Sequence, residues 1–427
     1  MHFSPHAPVA DNQFIKSKPA MLNQFYGSTD VFPYWVADMD FSIAKPISDE
    51  LQRLVSRGVY SYEFIEKAVF EAISNWHLRR HQITLSPEHF VQVPGVLSGI
   101  ALLLRQLTDK GDAVMIQSPA YHQFSGLITK AQRTLIKNDL QLIQGEYQLD
   151  LKGMEQQIID NQVKAMIFCN PHNPTGRVWT RAELADVVAI AQRHNVLIIS
   201  DEIHADIIYQ GNVFTSLTQF ESDNIITLLG SPAKTFGMHS ISHGYIYINN
   251  PDLHGKIKQH ISDLYLDHAN ALSSYATVAA YQHGDAWLDD MMAYLQGTLD
   301  WINDFIKQHI PRLRMYQPQG TYQVWFDFSG LELSEDQLTQ QIFKQAKMGL
   351  TPGAWFGEQS GQFMRMNIAT KRENIMGSFE LLKQALTKGA ANGAIQNHAC
   401  QQADIASASS SDLAADASFG KSNNSCC

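Results

Sequence analysis

Three short segments carry residue types that one piece of chemistry needs together. Asn170-Pro171-His172-Asn173-Pro174-Thr175-Gly176 follows the apolar run AMIFC, Asp201-Glu202-Ile203-His204 follows VLIIS, and Gly230-Ser231-Pro232-Ala233-Lys234-Thr235-Phe236-Gly237 follows IITLL. Asn173, Asp201, Ser231 and Lys234 offer, in order, an amide, a carboxylate, a hydroxyl and a primary amine. A primary amine condenses with a carbonyl. A carboxylate at ~4 Å and an effective dielectric of about 20 favours a proton on a ring nitrogen by roughly 4 kcal/mol. That is about three pKa units, enough to keep the ring protonated near neutrality. An Asn amide donates to a phenolate oxygen, and a hydroxyl with free amides at a helix start takes a phosphate. Taken singly, each residue has an ordinary use. A lysine is usually a surface residue, an Asp after a strand a helix cap, and Asn-Pro a turn. The ordered set suits one ligand that combines an aldehyde, a basic ring nitrogen, a phenol and a phosphate.

Those residues need a scaffold that brings them to one place. Short apolar runs at 113–117, 133–136, 165–169, 196–200, 225–229 and 245–248 alternate with longer amphipathic stretches such as ELADVVAIAQRH (183–194). This pattern predicts an α/β fold, a mostly parallel sheet sandwiched by helices. In such sheets ligands bind beyond the carboxyl ends of the strands, where all three segments fall. Helices are expected from Pro46 to Gly58 and from Glu66 to His81. From about 285 a long helical stretch, a strand-like TYQVWFDF, a helix, a Gly-rich loop and FMRMNIA suggest a smaller α+β domain. The expected organisation is an arm at 1–45 that joins the small domain and forms an active-site lid, a large domain at 46–284, a small domain at 285–388, and a disordered Ala/Ser/Asn/Gln tail at 389–427.

Bulk properties exclude other classes. The chain of 427 residues has a formal net charge of -10 and no compact basic run, so it gains nothing from counterion release on nucleic acid. No apolar stretch is long enough to span a bilayer. The four cysteines make no disulfide framework, and the N-terminus lacks the apolar stretch of a signal peptide, which together predict a cytoplasmic protein. The histidines show no metal-ligand spacing, so no metal is expected.

The ligand described by the three segments is pyridoxal 5′-phosphate (PLP), and the segments resemble those of fold-type I PLP enzymes, the aspartate aminotransferase superfamily. The chain is most similar to the cystathionine β-lyase-like C–S lyases within it. That family typically carries Trp-Val-Ala-Asp-Met-Asp-Phe, here Trp35 to Phe41, then Asn-Pro-His-Asn-Pro-x-Gly-Arg-Val-Trp, here Asn170 to Trp179, and Asp-Glu-Ile-His, here Asp201 to His204. The similarity covers roughly residues 15 to 388.

The resemblance implies a role for each matching residue. Lys234 would bind PLP covalently and act as the catalytic base. Asp201 would pair with the ring nitrogen, and Asn173 would bond the ring hydroxyl with His204 beside it. Tyr121 would stack on the ring. The amides of Val96 and Leu97, after Gly95, would cradle the phosphate with Ser231. Tyr62, with Tyr60 two residues before it as the alternative, would reach the phosphate of a neighbouring subunit's cofactor, making the enzyme a homodimer. Arg365 would grip the carboxylate of an amino-acid substrate, with Trp35 and Ala37 beside it. The implied reaction is β-elimination from L-cystathionine or another cysteine S-conjugate; the alternative is amino-group transfer to a 2-oxo acid. The chain departs from the pattern after Lys234. Aminotransferases usually place an Arg eight residues on, where this chain has Ser242 followed by His243. C–S lyases usually have Asn-x-Ala-Gly-Leu where this chain has Gly237-Met238-His239-Ser240-Ile241.

Overall fold

The apolar runs form the centre of the molecule. The computed structural model describes residues 3–5, 13–222, 225–241 and 243–387. Seven strands make one sheet: β1 (Phe90–Val93), β2 (Ala113–Ser118), β3 (Thr134–Asp139), β4 (Ala165–Cys169), β5 (Leu197–Asp201), β6 (Ile226–Gly230) and β7 (Gly244–Ile248). Their order is β1-β7-β6-β5-β4-β2-β3. The run from β6 to β3 is parallel throughout. Only β7 opposes its neighbours, β1 and β6. Every residue of β2, β4, β6 and β7 is buried, as a sheet covered on both faces requires. The expected mostly parallel α/β architecture is the one observed.

Helices fill both faces. They include α1 (Lys45–Ser56), α2 (Glu66–His81), α3 (Val96–Leu107), α4 (Arg181–Arg193), α5 (Pro232–Phe236), α6 (Ala271–His283) and α7 (Asp285–His309). Local chemistry sets their ends. Helix α1 opens with a proline in its first turn, where the missing N–H costs nothing. Thr180 and Glu183 close a capping box at the start of α4. Helix α6 packs against α1 and α2.

A second sheet, antiparallel, contains β8 (Arg314–Tyr316), β9 (Gln323–Asp327), β10 (Thr351–Pro352) and β11 (Phe363–Asn367) in the order β8-β9-β11-β10. The N-terminal segment docks here: Phe32–Pro33 pairs in parallel with Met348–Gly349, and the Tyr34 hydroxyl lies 2.8 Å from Ser378 Oγ. Ser242 and the tail expected to be disordered lie outside the described residues. Among the described residues no helix is long and apolar enough to cross a membrane, and no cluster of His, Cys, Asp and Glu could hold a metal.

Candidate active site

Strand register brings the three segments to one rim. Cys169 at the end of β4 pairs with Asp201, and Asp201 pairs with Leu229 near the end of β6. Because β7 is reversed, its first residues sit at the same rim, Gly244 opposite Val93 and Tyr245 opposite Gly230. A cavity of about 340 Å³ opens there. Its lining includes Lys234, Asp201, Asn173, His204, Tyr121 and Ser231. The first turn of α3 and Ala37 complete the wall, so Val96 and Leu97 are brought in as well.

Burial shapes the electrostatics. It pushes the Asp201 carboxyl up to about 6, against the pull of the Ile203 N–H, 3.1 Å from Oδ1, and of Lys234. No described side chain makes an ion pair with Asp201, so its charge is available to a cation in the cavity. Burial also pushes the Lys234 amine down to about 8; Asp38 and Asp201 oppose that shift and Arg365 adds to it. Lys234 Nζ donates to the carbonyl of Ala37, which also accepts from the Tyr322 hydroxyl at 3.1 Å.

Arg365, on β11, is 2% exposed. It donates to Asn173 Oδ1 at 3.0 Å and to the Trp35 carbonyl at 2.9 Å. The first bond takes up the amide oxygen of Asn173 and leaves its N–H groups as the donors. Arg365 Nε has no hydrogen-bond partner among the described residues, and no described carboxylate pairs with the guanidinium. A buried arginine without a counter-ion calls for an anionic ligand. His204 Nδ1 is likewise unpartnered, and burial, Lys234 and Arg365 push this imidazole well below its usual range.

Helix α3 begins at the cavity with no side chain capping it, so its first amides are free to bind an anion. A glycine is needed behind it: a Cβ at Gly244 would lie 2.9 Å from backbone atoms of Gly95 and Val96. Ser231 caps α5, accepting from the Ala233 N–H at 3.2 Å and donating to the His243 carbonyl at 2.9 Å. The donor set therefore suits PLP. The chain offers an amine, an unpaired carboxylate for the ring nitrogen, an amide for the ring hydroxyl, and a hydroxyl with free helix amides for the phosphate.

Not every expected residue converges. Tyr62 is 92% exposed and Tyr60 is 59% exposed, and neither lines the cavity of its own chain. Trp35 contributes its carbonyl rather than its ring, whose Nε1 donates to the Lys16 carbonyl at 3.1 Å. Sequence reasoning did not single out Tyr322 or His239, which meet at 3.4 Å, or Cys169. His239 falls in the stretch that departs from the C–S lyase pattern, and His243 follows the position where aminotransferases usually have an Arg. Those departures were the only available signal, and both residues line the cavity.

Comparison with known proteins agrees with this geometry. A profile of the aminotransferase class I and II family matches residues 43–377. Cystathionine beta-lyase PatB of Bacillus subtilis is 30% identical over 366 residues, 85% of this chain and 95% of that protein. Cystalysin from Treponema denticola, whose crystal structure contains a pyridoxal 5′-phosphate cofactor, superposes with a TM-score of 0.84 at 26% identity, covering 90% of this chain and 98% of its own. The PLP-bound C-S lyase from Staphylococcus hominis gives a TM-score of 0.81 at 27% identity, covering 89% and 97%. The chain belongs to the aminotransferase class I and II family.

Proposed function

We propose that this member of the aminotransferase class I and II family is a PLP-dependent carbon–sulfur β-lyase. It would cleave L-cystathionine or another cysteine S-conjugate to a thiol, pyruvate and ammonia. The observation that carries this reading is the Trp35–Phe41 strap closing over Lys234 and Arg365, in a chain whose relatives include a cystathionine β-lyase and a C–S lyase.

When bound, PLP supplies an aldehyde for the substrate amine and a ring that takes up the electron pair left at Cα. The chain does the rest. Lys234 would hold the cofactor between turnovers, and the Val96 and Leu97 amides with Ser231 would hold its phosphate. Asp201 would keep the ring nitrogen protonated, Asn173 would donate to the ring hydroxyl, and Tyr121 would pack beside the ring. Arg365 binds the substrate carboxylate through a planar fork that a lysine cannot reproduce. Burial lowers the Lys234 amine to about 8, toward the neutral form that is competent to take the Cα proton. The C–S bond would then break with its electron pair on sulfur, and the Lys234 ammonium, carrying the Cα proton, could return that proton to the departing thiolate. The unsaturated product hydrolyses to pyruvate and ammonia. Tyr62, exposed and remote from its own cavity, is available to the site of a second copy, which supports a homodimer as the active unit.

Incubation of the purified protein with cystathionine, with pyruvate and thiol assayed, tests the reading. Both products are expected in equal amounts. Amino-group transfer to a 2-oxo acid without pyruvate or thiol would overturn it in favour of an aminotransferase, which uses the same cofactor contacts.

A further inference from the structure

The strap over Lys234 is fixed from two directions. On one side Asn367 Nδ2 donates at 2.6 Å to the carbonyls of Val36 and Asp38, and the Asp40 N–H donates to the Ala369 carbonyl at 2.9 Å. On the other side stands Lys16. Its Nζ lies 2.9 Å from Asp38 Oδ1 and 2.5 Å from Asp40 Oδ1, and its carbonyl accepts from the Trp35 indole. Lys16 is 4% exposed. A lysine so deeply buried persists only when well paired. Burial alone would push its ammonium down, but Asp38 and Asp40 more than offset that and hold it above the usual lysine range. The carbonyl of Ala37, the residue just before Asp38, is the one that Lys234 contacts.

We propose that Lys16 is a positioning residue that acts through Asp38 to set the proton affinity of Lys234, and so the pH range in which Lys234 serves as a base. The proposal rests on Lys234 being the cofactor lysine. Asp38, in the strap whose Ala37 carbonyl Lys234 contacts, pairs with Lys16 at 2.9 Å and also attracts the Lys234 ammonium. Asp201 also favours the Lys234 ammonium and Arg365 opposes it. His204 and His239 flank the amine and are held neutral by burial, and the Tyr322 hydroxyl is also uncharged. Asp38 is thus a shared counter-ion, and the share that Lys16 takes is lost to Lys234. Asp40 divides Lys16 in turn. The three side chains form a one-cation, two-anion cluster that leaves a single negative charge beside the catalytic amine.

The test is a pH titration of the near-visible absorbance of the PLP-loaded protein, whose midpoint follows the proton at Lys234 Nζ. Asp40→Asn leaves Lys16 to Asp38 alone, and the midpoint should fall. Adding Lys16→Met then leaves Asp38 with Lys234 as its remaining cation. The midpoint should rise above that of Asp40→Asn by roughly one pH unit, the scale that a unit charge about 12 Å away imposes at an effective dielectric of about 20. This double variant removes one ion pair whole, an exchange that folded proteins tolerate well. Lys16→Arg in the same background should leave the midpoint where Asp40→Asn put it, and Asp38→Asn alone should lower it. If Lys16→Met leaves the midpoint unmoved or lowers it, the proposal is overturned while the PLP assignment stands. If the wild-type protein forms no absorbance band with PLP, the assignment of Lys234 falls and this proposal with it.

Discussion

Replacing Asp206 tests how the floor beneath Lys234 is built. Its side chain is 9% exposed and receives three bonds: Trp76 Nε1 at 2.8 Å, His81 Nε2 at 2.7 Å and Thr235 Oγ1 at 2.6 Å. Two of the donors come from α2 and the third is the residue after Lys234. Bonds to a charged acceptor contribute about 1.5–3 kcal/mol each. Three would sum to roughly 4.5–9 kcal/mol, but members of one network are not additive, and truncating one buried partner costs about 3–5 kcal/mol. The carboxyl gives an independent check. Burial alone would raise it; His81, Thr235 and Trp76 override burial and push it down from 3.8 to about 2. At about 1.36 kcal/mol per pKa unit, that is roughly 2.5 kcal/mol in favour of the ionised form. Both routes converge on about 3 kcal/mol for Asp206→Ala, and on roughly half that for Asp206→Asn, whose amide oxygen still accepts. Because the folded carboxyl lies below its unfolded value, this stability is present above about pH 4 and lost as pH falls through about 2. Urea unfolding at neutral pH should show a lower midpoint for Asp206→Ala with an unchanged slope. PLP titration of the cofactor-free variant should show weakened binding, since Thr235 loses its anchor. A loss below about 1 kcal/mol, within the range of ordinary surface substitutions, would refute the idea that Asp206 holds α5 in place.

Arg365→Lys keeps the charge but not the fork, so KM for the amino-acid substrate should rise about 10–100-fold with a smaller change in kcat. An unchanged KM would remove Arg365 from substrate binding. Gly244→Ala puts a methyl group 2.9 Å from the backbone of Gly95 and Val96, so PLP affinity should fall at least about tenfold while circular dichroism stays that of a folded protein. Retained affinity would show that the first turn of α3 does not bind phosphate. Glu202, whose Oε1 accepts from Ser200, Ser216 and Leu217, is pushed by burial from 4.5 up to about 7. Its folded value lies above the unfolded one, so its contribution to stability is full below about pH 4.5 and lost as pH rises through 7, by about 3 kcal/mol in all. Glu202→Gln should therefore flatten the decline in Tm between about pH 5 and 8, and an unaltered pH dependence would contradict the assignment.

The sequence makes the centre of this fold legible and its edges less so. The six apolar runs become β2 to β7 because a strand buried on both faces must be apolar at nearly every position. At the sheet edge the signal weakens. β3 runs on through Lys137, Asn138 and Asp139, and only Asn138 of these is buried. β1 is not announced at all: FVQV is four residues long, and its partner β7 lies far along the chain. The candidate rim is legible because Asp201 ends β5 and Asn173 and Lys234 lie just beyond the ends of β4 and β6, so short-range order implies convergence. Lys16 and Tyr322 carry no such signal. Lys16 sits in a single 3-10 turn of the N-terminal arm and Tyr322 just before β9, and only tertiary packing brings them to the strap and the Ala37 carbonyl. Arg365 was recoverable from the family resemblance, but its bond to Asn173 was not.

The bond from Arg365 to the Trp35 carbonyl joins residues 330 positions apart, and that from Asn367 to Val36 spans 331. On the ribosome the rim bearing Asp201 and Lys234 emerges well before Arg365. A growing chain can therefore present the cradle for the cofactor before the roof over it exists. The roof is tied down only once the segments of Trp35 and Arg365 have met, after the strands that carry the rim have been made. The same tie makes the two segments interdependent, so a protease cut in the arm near Lys16 would loosen the strap as surely as a cut beside Arg365.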